Sequence, residues 1–199
     1  MSIDDSPKIA ILGTGGVGKT CVVLRLVNNT FDTEYLPTIQ DFFDVKMVYE
    51  GVTYTIKLID TAGQEEMASI ADISIKEANS FIIVYSVTSS LSFAEAEKYY
   101  HKIAQNSTSY RDRIVLLGNK CDMVGDRQVS SEKGRELANK IGCEFYETSA
   151  KTGINIKDAF TAIMRVIVQS NMRRKTENDS KETNEKEDSE EEGNCCSIM

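Results

Sequence analysis

The chain lacks most of what would place it in a membrane, outside the cell or on a nucleic acid. Across its 199 residues no run of about 18 or more apolar residues occurs, so no segment is expected to span a bilayer. Met1-Ser2-Ile3-Asp4-Asp5 has neither the basic residues nor the apolar stretch of a secretory leader. Ser2 in place of Gly argues against N-myristoylation. Five cysteines are too few and too scattered for a disulfide framework, and no C-x-x-C pair offers a metal site, which points to a reducing cytosol. A basic surface is missing too. The net charge is −8, and the stretch from Thr176 to Asn194, with nine acidic and two basic residues, carries −7 of it. What remains is near neutral and gives no reason to expect a nucleic-acid partner.

There is enough for one core: 41% hydrophobic residues, with eight tyrosines and seven phenylalanines. Lys8 to Gly13 reads as a buried first strand, followed by a helix from Lys19 through Val27. Asp41 to Tyr49 and Val52 to Asp60 alternate as two paired strands around a Glu50-Gly51 turn. Further strands are expected at Phe81 to Tyr85, Ile114 to Leu117 and Cys143 to Tyr146. Helices are expected at Ser92 to Gln105, Ser130 to Ile141 and Ile154 to Met172, the last with Ile156, Phe160, Ile163 and Ile167 on one face. Continuous apolar strands interleaved with amphipathic helices predict an α/β fold: a six-stranded, mostly parallel sheet with helices on both faces and one antiparallel hairpin. Nothing repeats.

Chemistry concentrates at Gly13-Thr14-Gly15-Gly16-Val17-Gly18-Lys19-Thr20, the G-x-x-x-x-G-K-[ST] pattern set between strand and helix. Its glycines let successive N–H groups converge on an anion, and the helix adds its positive end. Lys19 is placed to reach the β- and γ-phosphates and the Thr20 hydroxyl to ligate Mg²⁺. A ligand-free turn would need neither. A nucleoside triphosphate is therefore expected, which leaves ATPases, nucleotide kinases and GTPases open.

Three further elements narrow the choice. Asp60-Thr61-Ala62-Gly63-Gln64 ends the third strand, where a carboxylate can hold Mg²⁺ through water, the Gly63 N–H can meet a γ-phosphate oxygen and Gln64 can orient the attacking water. Asn119-Lys120-Cys121-Asp122 ends the fifth strand, at the edge where open sheets bind ligands. The Asp122 carboxylate can accept from guanine N1–H and its 2-amino group; adenine offers neither donor at those positions. Ser149-Ala150-Lys151 follows the sixth strand, with a backbone N–H for guanine O6 and Ser149 bracing the loop. Cys121 borders that site, Cys21 and Cys143 read as small core fillers, and His101 as surface.

With these motifs in this order, the sequence resembles the Ras-type small GTPases, from residue 8 to about 172 and again at the C-terminus. Tyr35-Leu36-Pro37-Thr38-Ile39 is similar to the first switch of that family and Asp60 to Glu66 to the second. The resemblance implies a P-loop NTPase G domain over residues 1–172, GTP or GDP as ligand and Mg²⁺ as cofactor. It implies phosphate contacts from Gly13, Gly15, Gly16, Val17, Gly18, Lys19, Thr20 and Cys21, with Tyr35 closing over the phosphates and Phe31 packing on the base. Mg²⁺ ligands would be Thr20, Thr38 (only with GTP bound) and Asp60. Gln64, Lys19 and Thr38 would be the catalytic set, and Asn119, Lys120, Asp122, Ser149, Ala150 and Lys151 the base site. Gln64 is Ras-like rather than Rap-like, whereas the Val124-Gly125-Asp126-Arg127 turn has the Rap length; the Ras-like assignment is preferred. No arginine stands in either switch, so slow hydrolysis is expected, raised roughly 10³–10⁵-fold by an activating protein that supplies one. The alternatives are a GTP-locked or Rap-like binding module in adhesion or polarity signalling.

The implied partners are effectors with Ras-binding-type domains, a guanine exchange factor, a GTPase-activating protein and a prenyltransferase, the protein itself being monomeric. Gln40 and Leu36 stand where the family carries acidic residues, which should weaken encounter with basic effectors. Phe42 and Phe43 add apolar surface unless one faces the core. Met67 to Asp72 lacks the family's Arg-Asp pair.

Residues 173–199 read as a disordered acidic tail behind Arg173-Arg174-Lys175, ending in the C-a-a-X box Cys196-Ser197-Ile198-Met199. Met at the last position favours farnesylation of Cys196. One prenyl chain anchors weakly and the acidic spacer is repelled by anionic lipid, so Cys195 is the candidate for palmitoylation. The expected location is the cytoplasmic face of the plasma membrane, with endomembranes as the alternative.

Overall fold

Alternation in β1, Lys8–Leu12, divides the core between the two faces of the sheet. The computed structural model describes residues 6–31, 40–61, 68–106, 113–170 and 172. Ile9 and Ile11 point to one side, where they join Val22 and Val23 of α1 (Lys19–Asn28) and Ile156, Ala159, Phe160, Ile163 and Ile167 of α5, over residues 156–170. Ala10 and Leu12 point to the other side. There they meet Ile75 of α2 (Ala68–Glu77), Ala96 and Ile103 of α3 (Ser90–Asn106), and Leu137, Ala138 and Ile141 of α4 (Ser131–Ile141). Helices thus cover both faces, which is why the central strands are apolar without interruption.

The other strands are β2 (Gln40–Tyr49), β3 (Val52–Thr61), β4 (Ser80–Ser86), β5 (Ile114–Asn119) and β6 (Glu144–Glu147). They lie in the order β2-β3-β1-β4-β5-β6, all parallel except for the β2–β3 hairpin. Ten residue pairs run down that hairpin, and Glu50 and Gly51 turn it with φ of 49° and 77°. Two successive left-handed residues match the twist of the flanking strands. The order reverses direction around β1, the place where open sheets form a ligand crevice at their carboxyl ends.

Boundaries differ from expectation by a residue or two. α3 starts earlier because the Ser89 hydroxyl accepts the Ser92 N–H at 3.2 Å. α4 starts behind Ser130, whose hydroxyl accepts the Lys133 N–H, and stops at Gly142 with φ 74°. One element was not foreseen from the sequence. α2 turns inward with Ser74 and Ile75, both fully buried, and outward with exposed Ile73. A serine on the core face and an isoleucine on the solvent face invert the helical pattern that sequence reading depends on. Phe42 and Phe43 divide as strand alternation requires: Phe42 is 64% exposed and Phe43 packs against the core. Cys21 and Cys143 are half-buried against the core rather than enclosed by it.

Candidate functional site

The loops after β1, β5 and β6 and the carboxyl end of β3 meet at one edge of the sheet, and they carry the described motif residues. The phosphate loop is built on backbone freedom. Gly13, Gly16 and Gly18 have φ of 150°, 73° and 94°. At Gly13 an added Cβ would collide with the Val84 carbonyl oxygen, and at Gly18 it would lie 2.6 Å from Asn119 Nδ2. At Gly16 the added Cβ would meet nothing within 4 Å, so crowding by the protein is not what demands glycine there; the left-handed backbone is. Gly18 also occupies the N-cap of α1 without a side-chain cap, and the first turn holds no acidic residue. An uncapped positive helix end beside this loop favours an anion.

Lys19 is buried, its ammonium donating to the Gly13 and Thr14 carbonyls at 2.9 and 3.1 Å. Burial pushes its pKa down to about 8, only partly offset by the Asp60 charge. Asp60 is fully buried beside Ile11 of β1, and burial raises its carboxyl above the usual range despite Thr20 and Lys19. The Thr20 hydroxyl donates to Asp60 Oδ2 at 2.6 Å, while Asp60 Oδ1 is buried with no hydrogen-bond partner among the described residues. A hydroxyl and a carboxylate held together, with one buried carboxylate oxygen left over, fit a hard divalent cation such as Mg²⁺. Thr61, next in the chain, locks the strand end by donating to the Ile11 carbonyl at 2.7 Å.

The opposite end of the site is built on side chains. Asn119, 1% exposed, gives its Nδ2 hydrogen to the Val17 carbonyl at 2.9 Å. Its Oδ1 receives the Thr148 hydroxyl at 3.3 Å and the Ala150 N–H at 3.2 Å. One amide thereby joins the phosphate loop to the loop after β6. The Ala150 N–H is thus engaged by this asparagine. Lys120 takes a left-handed φ of 67° and sends its ammonium to the Gly16 carbonyl at 2.7 Å, a second link between the two ends. Ser149 is buried and braces its own loop, its hydroxyl accepting the Thr152 N–H at 3.0 Å. Asp122 is half-buried on the loop after β5, and Phe31 is 36% exposed beyond α1. Cys121 is half-buried and its thiol is pushed up, chiefly by burial.

Three supports were not anticipated from the sequence. Arg25 of α1 donates to the Ala150 and Lys151 carbonyls. Arg127 pairs through two nitrogens with Glu147, joining the loop after β5 to the end of β6. Gln40 Nε2, at the start of β2, donates to the Ser74 hydroxyl on α2 at 3.1 Å. Only the third dimension brings these partners together. Tyr35, Thr38, Gly63 and Gln64 lie outside the described residues, as do Leu36, Met67, Cys195 and Cys196.

The Ras family model matches residues 8–169. This chain is a member of the Ras family. A curated relative, Ras-like protein 2 of Mucor circinelloides f. lusitanicus, is 33% identical over 192 residues, covering 96% of this chain and 94% of that protein. The sheet, the phosphate loop and the base-side loops are accordingly those of a Ras-family G domain, a GTP-binding switch of a family whose members are GTP hydrolases.

Proposed function

We propose that this Ras-family protein is a membrane-anchored switch that hydrolyses GTP slowly and signals by GTP-dependent binding of effectors. The observation that carries the reading is the Thr20–Asp60 contact, which joins the phosphate loop to the first residue of the second switch. Thr20 and Asp60 would hold the nucleotide's cation at that junction, and Asp60 would thereby couple the second switch to whether GTP or GDP is bound.

Thr20 and Asp60 would hold Mg²⁺, with Thr38 added in the GTP form; the cation supplies charge neutralisation at the β- and γ-phosphate oxygens. Lys19 exchanges its two backbone carbonyls for phosphate oxygens, which restores the charge compensation that its burial removes. Gln64 orients the attacking water. Asp122 reads the N1 and 2-amino hydrogens of guanine, and the loop at 149–151 reads O6. Since neither switch contains arginine, an activating protein provides it in trans.

The tail supplies location. Farnesyl on Cys196 and palmitoyl on Cys195 hold the domain at the cytoplasmic face of the plasma membrane through a spacer of 19 residues, with a reach of about 25 Å. Exchange factors, activating proteins and effectors meet it there.

The deciding experiment is single-turnover hydrolysis with Gln64→Leu, coupled to titration of GTP-analogue- and GDP-loaded protein against a basic Ras-binding domain. Stalled hydrolysis with GTP still bound, and effector binding confined to the analogue form, is the expected result. Normal turnover in Gln64→Leu removes the catalytic assignment. Equal binding of both forms removes the effector assignment. Cys196→Ser is expected to shift the protein from the membrane to the soluble fraction, and Cys195→Ser to do so in part.

A further inference from the structure

Arg25 has no place in the chemistry above, yet all three of its guanidinium nitrogens are engaged. Nε donates to the Ala150 carbonyl at 2.6 Å, Nη2 to the Lys151 carbonyl at 2.7 Å and Nη1 to the Asn29 carbonyl at 2.9 Å. A rigid planar fork fixes its acceptors relative to one another, which a flexible ammonium does not. Ala150 is therefore gripped on both sides, its N–H by Asn119 and its C=O by Arg25. Asn29 closes α1 in a left-handed conformation, so the same side chain ties the end of the phosphate-loop helix to the loop after β6.

Charge adds to geometry. A guanidinium bound to the Ala150 carbonyl polarises that peptide unit, whose hydrogen is the Lys151 N–H, and strengthens it as a donor. The Lys151 carbonyl is likewise bound, and its peptide hydrogen, on Thr152, goes to the Ser149 hydroxyl. Every peptide from 150 to 152 is thus held or polarised through Arg25 or Ser149. The Cβ position of Gly153 lies 3.8 Å from the Arg25 Cδ, so the side-chain stem rests against the far end of this loop.

We infer that Arg25 is a positioning residue for the base: it holds the 149–151 loop in the conformation that reads the 6-keto group of guanine, and so sets how long the nucleotide stays bound. The inference rests on the base-site reading proposed above. Loss of the fork frees the loop on the O6 side while leaving the phosphate loop and the Thr20–Asp60 contact intact. Guanine then loses a preformed donor, and adenine, with an amino group at that position, loses the penalty of meeting one.

The test uses the full chain loaded with GDP carrying a ribose-linked fluorophore. Dissociation is followed in Arg25→Ala, Arg25→Lys and Arg25→Gln, with competition by GDP, IDP and ADP and a melting curve for each protein. Arg25→Ala is expected to release GDP on the order of tenfold faster. GDP and IDP, which share O6, should weaken together, while ADP does not weaken, so that the guanine-over-adenine ratio falls. Lysine keeps the charge without the fork and should recover only part of the loss. Unchanged GDP release in all three variants overturns the inference, as does an equal weakening of GDP and ADP in competition, which marks general loosening. Asp122→Asn is the control for the underlying reading. If it moves preference toward xanthine nucleotides while the Arg25 variants do nothing, the base site stands and the role of Arg25 falls. If it leaves preference unaltered, both fall.

Discussion

The two ends of the nucleotide site are made by opposite means. At the phosphate end the protein offers main chain: three glycines with positive φ, an uncapped helix and one lysine bonded to carbonyls of its own loop. At the base end it offers side chains from distant elements, with Asn119, Lys120, Arg25 and the Arg127–Glu147 pair each crossing between loops. Phosphate presents the same oxygens whatever the nucleotide, so a nest of N–H groups suffices. A base must be told from other bases, which requires donors and acceptors held at fixed places and therefore a braced frame.

The comparison is broken most severely at its backbone end. Gly13→Ala drives a methyl group into the Val84 carbonyl on a strand that cannot move, and should cost about 5 kcal/mol or more, read as loss of soluble, cooperatively melting protein. Asn119→Ala leaves the Thr148 hydroxyl, the Ala150 N–H and the Val17 carbonyl without their partner. A loss of about 4 kcal/mol in chemical denaturation is expected, with guanine nucleotide affinity falling alongside.

Lys19 gives an effect that depends on pH. Its folded pKa is lowered from 10.5 to about 8, so between those values the unfolded chain binds more protons and stability rises with pH. The cost of burying the ammonium is full below pH 8 and is relieved as pH climbs toward 10.5. In nucleotide-stripped protein, wild type should therefore gain about 3 kcal/mol on Lys19→Met across that window, and nucleotide should flatten the difference. A parallel pair of stability curves would show that Lys19 is not desolvated.

The smallest effect belongs to Tyr85, beneath the base end. Its hydroxyl is buried with no hydrogen-bond partner among the described residues, and it fills the space beside Gly118 and Gly134, where an added Cβ would lie 2.7 and 2.5 Å away. Tyr85→Phe removes an unsatisfied group without opening a cavity and should stabilise the protein by about 1 kcal/mol in thermal or denaturant melts. A loss instead would mean that the hydroxyl has a partner in solution.

The same division explains what was legible in the sequence. Glycine placement, the Lys19-Thr20 pair, Asn119, Asp122 and Ser149 are local signals set at strand ends, so their place at the carboxyl edge of the sheet was legible along the chain. The braces were not legible, because Arg25 and Ala150 are 125 residues apart and an arginine late in a helix reads as solvated surface. α2 was missed because its buried serine and exposed isoleucine defeat the hydrophobic pattern.

The placement of β1 in the middle of the sheet also bears on how the protein is made. Of the six strands described, the first to leave the ribosome is an inner one, and its two faces are sealed at different times. The side bearing Ala10 and Leu12 has all its covering helices once residue 141 has emerged. The side bearing Ile9 and Ile11 waits for Phe160, Ile163 and Ile167 of α5. At about 5–20 residues per second, that face stays open for seconds longer than its counterpart. During that interval the nascent chain exposes a half-finished apolar layer, and truncation before α5 would leave it exposed for good.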